Sequence, residues 1–371
     1  MFNQIRFLPK ERIDAHVACF KTDNLDQFHL PNIHSLDETS KIRHLANRIA
    51  RKINPGFRIN YLSPVVRSLN PNIVHSHFGH IGAIDSKRLT SKAVKHVVTF
   101  YGVDVSKTPK INPSIYEEYQ QLFKKVDRVL CEGPFMAQKV VELGCSEHKV
   151  RVQHLGVDLE GLDYRPREWS GNDTLRVLMA ATFREKKGLP YAIRALGMLR
   201  DIDVQLTIIG DANKSEADQL EKQNILRALE ESGLAEKTNL LGYLSHGKMI
   251  ELAYQNHLFM STSVEAADGD SEGGAPVTLI EMAATGIPII SSTHCDIPSI
   301  VLDRETGWLA PERDIPGILN CLEEFVGSKG SMRSMLDHGR AHIEKEFSAT
   351  VQGERLANHY AEVANSNAKV N

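Results

Sequence analysis

Apolar positions along this chain form short compact runs that alternate with amphipathic stretches. In the first half the runs are His16–Phe20, Ile73–His77, His96–Phe100, Arg128–Cys131 and Val150–Leu155. Between them Ile81–Lys92, Ser114–Lys125 and Pro134–Leu143 carry apolar residues at helical spacing. In the second half the strand-like runs are Arg176–Ala181, Gln205–Ile209, Thr238–Leu241, Leu258–Met260 and Ile287–Ser292. Helical patterns there fall at Pro190–Leu199, Glu216–Ser232, Gly247–Tyr254 and Pro276–Ala284, and then at Ile315–Val326, Met332–Glu346 and Ala349–Val363. Such alternation predicts an α/β protein whose parallel sheets are covered on both faces, with ligands at the carboxyl ends of the strands. A polar stretch over 160–173 separates the halves. It suggests an N-terminal domain over 1–160, a linker over 161–173, a C-terminal domain over 174–345, and a last helix with a frayed tail over 346–371. Doubly wound domains usually open with a strand, but this chain opens with a helix-like Phe2–Leu8. The first half therefore reads as one strand short.

At 371 residues the chain has room for two domains, and its composition is that of a soluble globular protein. No uninterrupted apolar run is long enough for a transmembrane helix, and the N-terminus lacks the apolar core of a signal peptide, so a cytoplasmic location is expected. The five cysteines are scattered without metal-ligand spacing and read as reduced thiols. The net charge of −3 hides an asymmetry. Residues 1–160 hold 23 basic and 16 acidic residues, +7, and the remainder 21 and 31, −10. Opposite signs fit two domains with different partners or with mutual attraction across a cleft.

The most informative segment is Ser271–Pro288, which reads as a glycine turn, a short helix, a stop and a strand. Gly273 and Gly274 allow close backbone approach, Pro276 suits the first helical position, and Gly286 and Pro288 end the helix. The N–H groups around Gly273, Gly274, Ala275, Pro276, Val277 and Thr278 then face whatever sits there, and the helix dipole favours an anion. Glu281, one turn further on, offers a carboxylate to the paired hydroxyls of a ribose. Phosphate plus ribose suggests a nucleotide.

Three further strand ends carry chemistry. Thr182–Gly188 supplies Arg184, Lys186 and Lys187 at a helix start, a cluster able to neutralise a diphosphate. Gly210 and Asp211 end another strand of the same half. In the first half, His75–Gly79 and Thr99–Asp104 place His77, Tyr101 and Asp104 at successive strand ends facing the opposing wall. The segment 41–58 has six Lys/Arg and no acid, with Ile42, Leu45, Ile49 and Ile53 on one helical face, so peripheral contact with an anionic membrane competes with a plain solvated helix.

These residues, in this order, resemble the retaining glycosyltransferases of family 4, with the GT-B fold of two facing doubly wound, Rossmann-like domains. The likeness is strongest over Glu272–Pro288 and Glu185–Ala195, and His75–Gly79, Gly156–Asp158 and Thr306–Leu309 agree with it. Among branches, the bacterial exopolysaccharide and colanic-acid-type transferases are the most similar. The resemblance implies a UDP- or GDP-sugar in the C-terminal domain and a saccharide or lipid-linked acceptor mostly in the N-terminal one. It implies neither metal nor cofactor, and no nucleic-acid partner. It assigns Lys187 to the donor diphosphate, Glu281 to the ribose, and Gly273–Thr278 to phosphate or sugar.

The chain departs from the family pattern at four points. Thr182 stands where members carry an arginine, and Arg184 is the nearest substitute. Glu272 and Glu281 enclose eight residues rather than seven. Tyr101 replaces a histidine. The family's first, mid-sheet strand is missing, which a late start or a truncated gene explains more simply than a stable domain without it. The expected activity is transfer of a hexose with retention to a polysaccharide precursor, at the inner face of the membrane. Alternatives are a degenerate nucleotide-sugar-binding homologue and an epimerase of the same fold. A dehydrogenase is disfavoured by the lack of a Gly-x-Gly-x-x-Gly turn after a strand.

Overall fold

The computed structural model describes residues 2–36, 45, 48–50, 52, 60–91, 93–274, 276–328 and 331–366. Most of the basic segment 41–58, and with it the expected membrane-facing helix, lies outside the described residues, as does Ala275.

Each half is built on a parallel sheet. The C-terminal sheet has the order β12-β11-β10-β7-β8-β9, with β7 (Leu175–Ala180), β8 (Val204–Ile209), β9 (Thr238–Leu240), β10 (Leu258–Ser261), β11 (Ile289–Ser292) and β12 (Trp308–Ala310). Its central strands are buried throughout most of their length, as expected of a sheet covered on both faces. Helices Leu189–Gly197 and Ile315–Gly327 bury Ile193, Leu196, Leu322 and Phe325 against one face, and helix Val277–Thr285 buries Leu279 and Ile280 against the other. Strand β7 lies between β8 and β10, so the loops that follow these three neighbouring strands share one edge.

The N-terminal half holds two separate sheets. Strands β3 (Ile73–His77), β4 (Lys95–Phe100), β5 (Arg128–Cys131) and β6 (Val150–Val152) form a four-stranded sheet, and β1 (Val17–Cys19) pairs only with β2 (Ile33–Ser35). Among the described residues no strand joins the two sheets. The helix Phe2–Arg6 packs on the last helix, Ala349–Asn365. That helix returns to the N-terminal half, burying Leu356, Ala357 and Val363 with Val97 and Leu130.

The stretch expected to be a linker is packed rather than free. Trp169 is 2% exposed within the C-terminal core, and Arg165 and Arg167 donate backbone N–H groups to Thr285 and Gly286. Its many polar residues conceal two apolar anchors, Leu162 and Trp169.

Candidate active site

After β7 the chain makes one 3₁₀ turn, Glu185–Lys187, before Gly188 opens the next helix. The turn holds Lys187 against the loop that follows β10. Lys187 Nζ donates to both oxygens of Glu272, at 2.7 and 2.9 Å. The Glu272 side chain is 8% exposed, and Oε1 also accepts from Ser263 at 2.8 Å. Burial alone would raise this carboxyl, but Lys187 and Lys186 hold it below the usual carboxylate range. Lys186 reaches the same loop, donating to Asp270 and to the Ser271 carbonyl at 3.1 and 2.9 Å. Two lysines of one strand end thus anchor the segment that begins the glycine turn.

The helix of this segment runs from Val277 to Thr285, and Gly286, with φ of 80°, ends it. Pro276 is the residue before the helix, with ψ of 124°, rather than its first member. Glu281 is mostly buried and its Oε1 lies 2.9 Å from His246 Nε2, at the start of helix His246–Ala253. Burial raises its carboxyl, and His246 opposes the shift. After β8, the Gly210 N–H bonds to the Gly242 carbonyl, while Asp211 pairs with Lys222 at 2.7 Å. The Asp211 carbonyl accepts from Tyr243, whose ring is 58% exposed. Glu281, His246, Tyr243 and Asp211 together offer a ring face, a carboxylate and hydrogen-bonding groups, the chemistry a nucleoside requires.

The N-terminal half meets this turn from the other side. His77 Nδ1 lies 2.7 Å from the Tyr101 hydroxyl, and its ring stacks on His75 at 4.5 Å. Burial pushes His77 down to about 4, so the imidazole is neutral near pH 7. Gly102 and Gly273 touch through their backbones: a Cβ on Gly273 would fall 1.8 Å from the Gly102 Cα. Beside them, a Cβ on Gly274 would fall 1.9 Å from Glu132 Oε2. A cleft of about 540 Å³ continues between the halves, with Tyr116, Phe135 and Lys110 on one side and Glu265, His294 and Cys295 on the other.

Residues 163–341 match the model of glycosyl transferases group 1, and residues 1–160 that of glycosyltransferase family 4. The chain is a glycosyltransferase that joins a family 4 domain to a group 1 domain. The amylovoran biosynthesis glycosyltransferase AmsK of Erwinia amylovora is 28% identical over 380 aligned residues, covering 95% of this chain and 90% of that protein. The putative colanic acid biosynthesis glycosyltransferase WcaL of Escherichia coli strain K12 is 28% identical over 298, covering 79% and 71%. Among solved structures, Anabaena Alr3699/HepE in complex with UDP shares the fold with a TM-score of 0.75 at 13% identity, over 97% of this chain and 94% of that one.

In this glycosyltransferase the residues singled out by sequence divide into three groups. Lys187, Glu272, Gly273 and Gly274 converge with His77 and Tyr101 where the halves meet. Val277 and Thr278 open the helix, and Glu281, Gly210 and Asp211 lie further along the same edge. Two residues do not take the places expected. Arg184 lies 3.8 Å from Asp218 on helix Glu216–Glu231; its carbonyl accepts the Lys187 N–H at 2.9 Å, but its side chain, carried on extended backbone just before the 3₁₀ turn, pairs with that helix rather than with Glu272. Asp104 is fully buried, and its two oxygens accept from the Gly79 and Tyr101 N–H groups at 2.6 and 2.8 Å. It fixes two helix starts and does not face a saccharide.

Sequence reasoning passed over Glu132, Asp296 and His294. Glu132 follows β5 directly, so the strand-end argument that found His77 and Tyr101 also points to it. Asp296 and His294 follow β11 in the same way. His294 Nε2 accepts from the Glu272 N–H at 3.1 Å, while Nδ1 lies 2.6 Å from Glu312.

Proposed function

We propose that this glycosyltransferase moves a hexose, with retention, from a UDP- or GDP-sugar to a saccharide or lipid-linked saccharide acceptor in exopolysaccharide synthesis. The observation that carries the reading is the convergence of the β7 and β10 loops on one sheet edge, joined by the Lys187–Glu272 pair. In transfer, the bond between the sugar C1 and the diphosphate oxygen breaks and one to the acceptor oxygen forms. The acceptor proton passes to the departing diphosphate. Lys187 and the N–H groups at the head of helix Val277–Thr285 stabilise the charge that grows on that group, which is where preorganised donors are most effective. Glu281 binds the ribose, with the base toward Tyr243.

Support from relatives is of the same kind. AmsK and WcaL are named for polysaccharide biosynthesis, one Corynebacterium relative is named as GDP-mannose-dependent, and Alr3699/HepE was solved with UDP-glucose. Lys187 and the helix N–H groups stabilise the departing diphosphate in this proposal, so it invokes no metal. Among the described residues no helix is long and apolar enough to cross a membrane, and contact with an anionic inner membrane face through 41–58 belongs to the proposal.

Screening UDP- and GDP-sugars for thermal stabilisation, then assaying hits for hydrolysis and transfer, tests the reading. Lys187→Ala should abolish turnover, and full turnover in that variant overturns the diphosphate site. A nucleotide sugar that stabilises the protein but is never cleaved would favour the degenerate binding homologue, for which Thr182 and the outward Arg184 argue.

A further inference from the structure

Where the two halves meet, the side chain of Glu132 is the anomaly. It stands at the carboxyl end of β5 with the residue 8% exposed, yet its carboxyl makes no hydrogen bond to any described residue. Its oxygens are not among the fully buried unpaired atoms of the described residues, so they keep some access to solvent and to a ligand. The other carboxyls nearby are all engaged. Asp104 accepts from two backbone N–H groups, Asp296 from two more, and Glu272 from Lys187 and Ser263.

Glu132 is also placed with care. Its Oε2 sits against the backbone of Gly274, close enough that any side chain there would collide with it. Gly274 lies in the turn between Glu272, which holds Lys187, and the helix that carries Glu281. The free carboxyl of the N-terminal half therefore touches the stretch that, on the proposed reading, lies between the diphosphate and the transferred sugar. Burial first, then the carboxylates of Asp104, Asp296 and Glu272, push Glu132 up to about 8. Tyr101 and Cys131, also beside it, carry raised values for the same reasons and remain neutral. A neutral carboxyl both donates and accepts, which matches a sugar hydroxyl.

We infer that Glu132 is a specificity-determining residue that hydrogen-bonds a hydroxyl of the transferred hexose, across from the Gly273–Gly274 turn. The inference rests on the nucleotide-sugar reading and adds to it a contact from the acceptor half of the protein to the donor sugar. It also explains why position 274 is glycine: the turn must let the carboxyl lie against it and still leave both oxygens to the ligand.

Calorimetric titration of the full chain with UDP against UDP-glucose, and with GDP against GDP-mannose, tests it. In Glu132→Ala the sugar nucleotide that the wild type prefers should bind roughly tenfold more weakly, while the bare diphosphate binds as before. Glu132→Gln, which keeps a donor and an acceptor in the same place, should recover most of the loss. A purely structural role would weaken both ligands together. Equal losses for sugar nucleotide and diphosphate, or unchanged sugar-nucleotide affinity in Glu132→Ala, overturn the assignment while leaving the nucleotide site standing. A wild-type protein that binds neither nucleotide overturns the site and this contact with it.

Discussion

Asp296 and Phe135 belong to opposite halves of the chain, and the Asp296 Oδ1 accepts the Phe135 N–H at 2.7 Å. Oδ2 accepts from Met136 at 3.2 Å. Helix Pro134–Glu142 has no side-chain cap of its own, because position 133 is glycine and a Cβ there would meet the Asp296 carboxylate within 2.2 Å. The C-terminal domain thus caps a helix of the N-terminal one. A carboxylate at this end of a helix also complements its dipole.

Asp296→Ala should loosen the contact between the domains without unfolding either. A lost N-cap is worth about 1 kcal/mol, which corresponds to roughly a fivefold shift in the equilibrium between closed and open arrangements. Fluorescence energy transfer between labels on the two domains reads that shift directly. An unchanged distance distribution would show that the cap does not hold the cleft.

Lys187 faces a nearly buried carboxylate, so removing it does more than delete a ligand for phosphate. Lys187→Met should cost about 3 kcal/mol in urea unfolding because Glu272 is left unpaired. Lys187→Met combined with Glu272→Gln should regain most of that stability but none of the transfer activity. Recovered transfer in the double variant would mean that neither side chain serves the reaction.

Gly273→Ala puts a Cβ into the Gly102 backbone at a φ of 77°, so the turn must move. Displacement of about an ångström at a reacting centre costs on the order of a hundredfold in rate. The expected result is that loss in kcat, with the circular dichroism spectrum of the wild type and a lowered melting temperature, because alanine is strained at this φ.

His75, His77 and His96 all have values lowered by burial, the last two to about 4. Their unfolded values lie near 6.5, so between pH 6.5 and 4 the unfolded chain binds more protons than the folded one. The stability they contribute is complete above pH 6.5 and is lost as the pH falls toward 4. Glu132, Asp104 and Asp296, raised to about 8, 7 and 6, oppose this over the same window, so the histidine contribution is read as a difference. The melting temperature of His96→Gln relative to the wild type should rise as the pH falls from 6.5 to 4, because the wild type alone loses this contribution. A difference that stays constant with pH would contradict this.

Most of the scaffold was legible in the chain. Strands such as Ile73–His77 and Arg128–Cys131 and helices such as Ile115–Lys125 and Glu216–Glu231 lie within a residue of where periodicity puts them. Their apolar runs are long, and turn residues punctuate them. The short strands Ile33–Ser35 and Trp308–Ala310 and the helix Leu62–Leu69 were not visible that way. Three residues hold too few positions to establish a period, and the Leu62–Leu69 helix contains Pro64 in its first turn. Trp169 shows the opposite error, since a polar neighbourhood hid a core residue.

Within the candidate site, the sequence alone determined which loops to consider for chemistry. Glycine turns, strand ends and helix starts are local features with local physical causes, and they brought out Lys187, Glu272, Glu281 and His77. Only the tertiary structure decided which of those side chains meet. The 3₁₀ turn sent Lys187 to Glu272, while Arg184, on extended backbone just before it, went to Asp218. Burial of two backbone N–H groups claimed Asp104 for structure. The contacts that close the cleft, Asp296 on Phe135 and Glu132 on Gly274, join residues more than 140 positions apart. No periodicity records such a pairing, because it depends on how two independently folded sheets face one another.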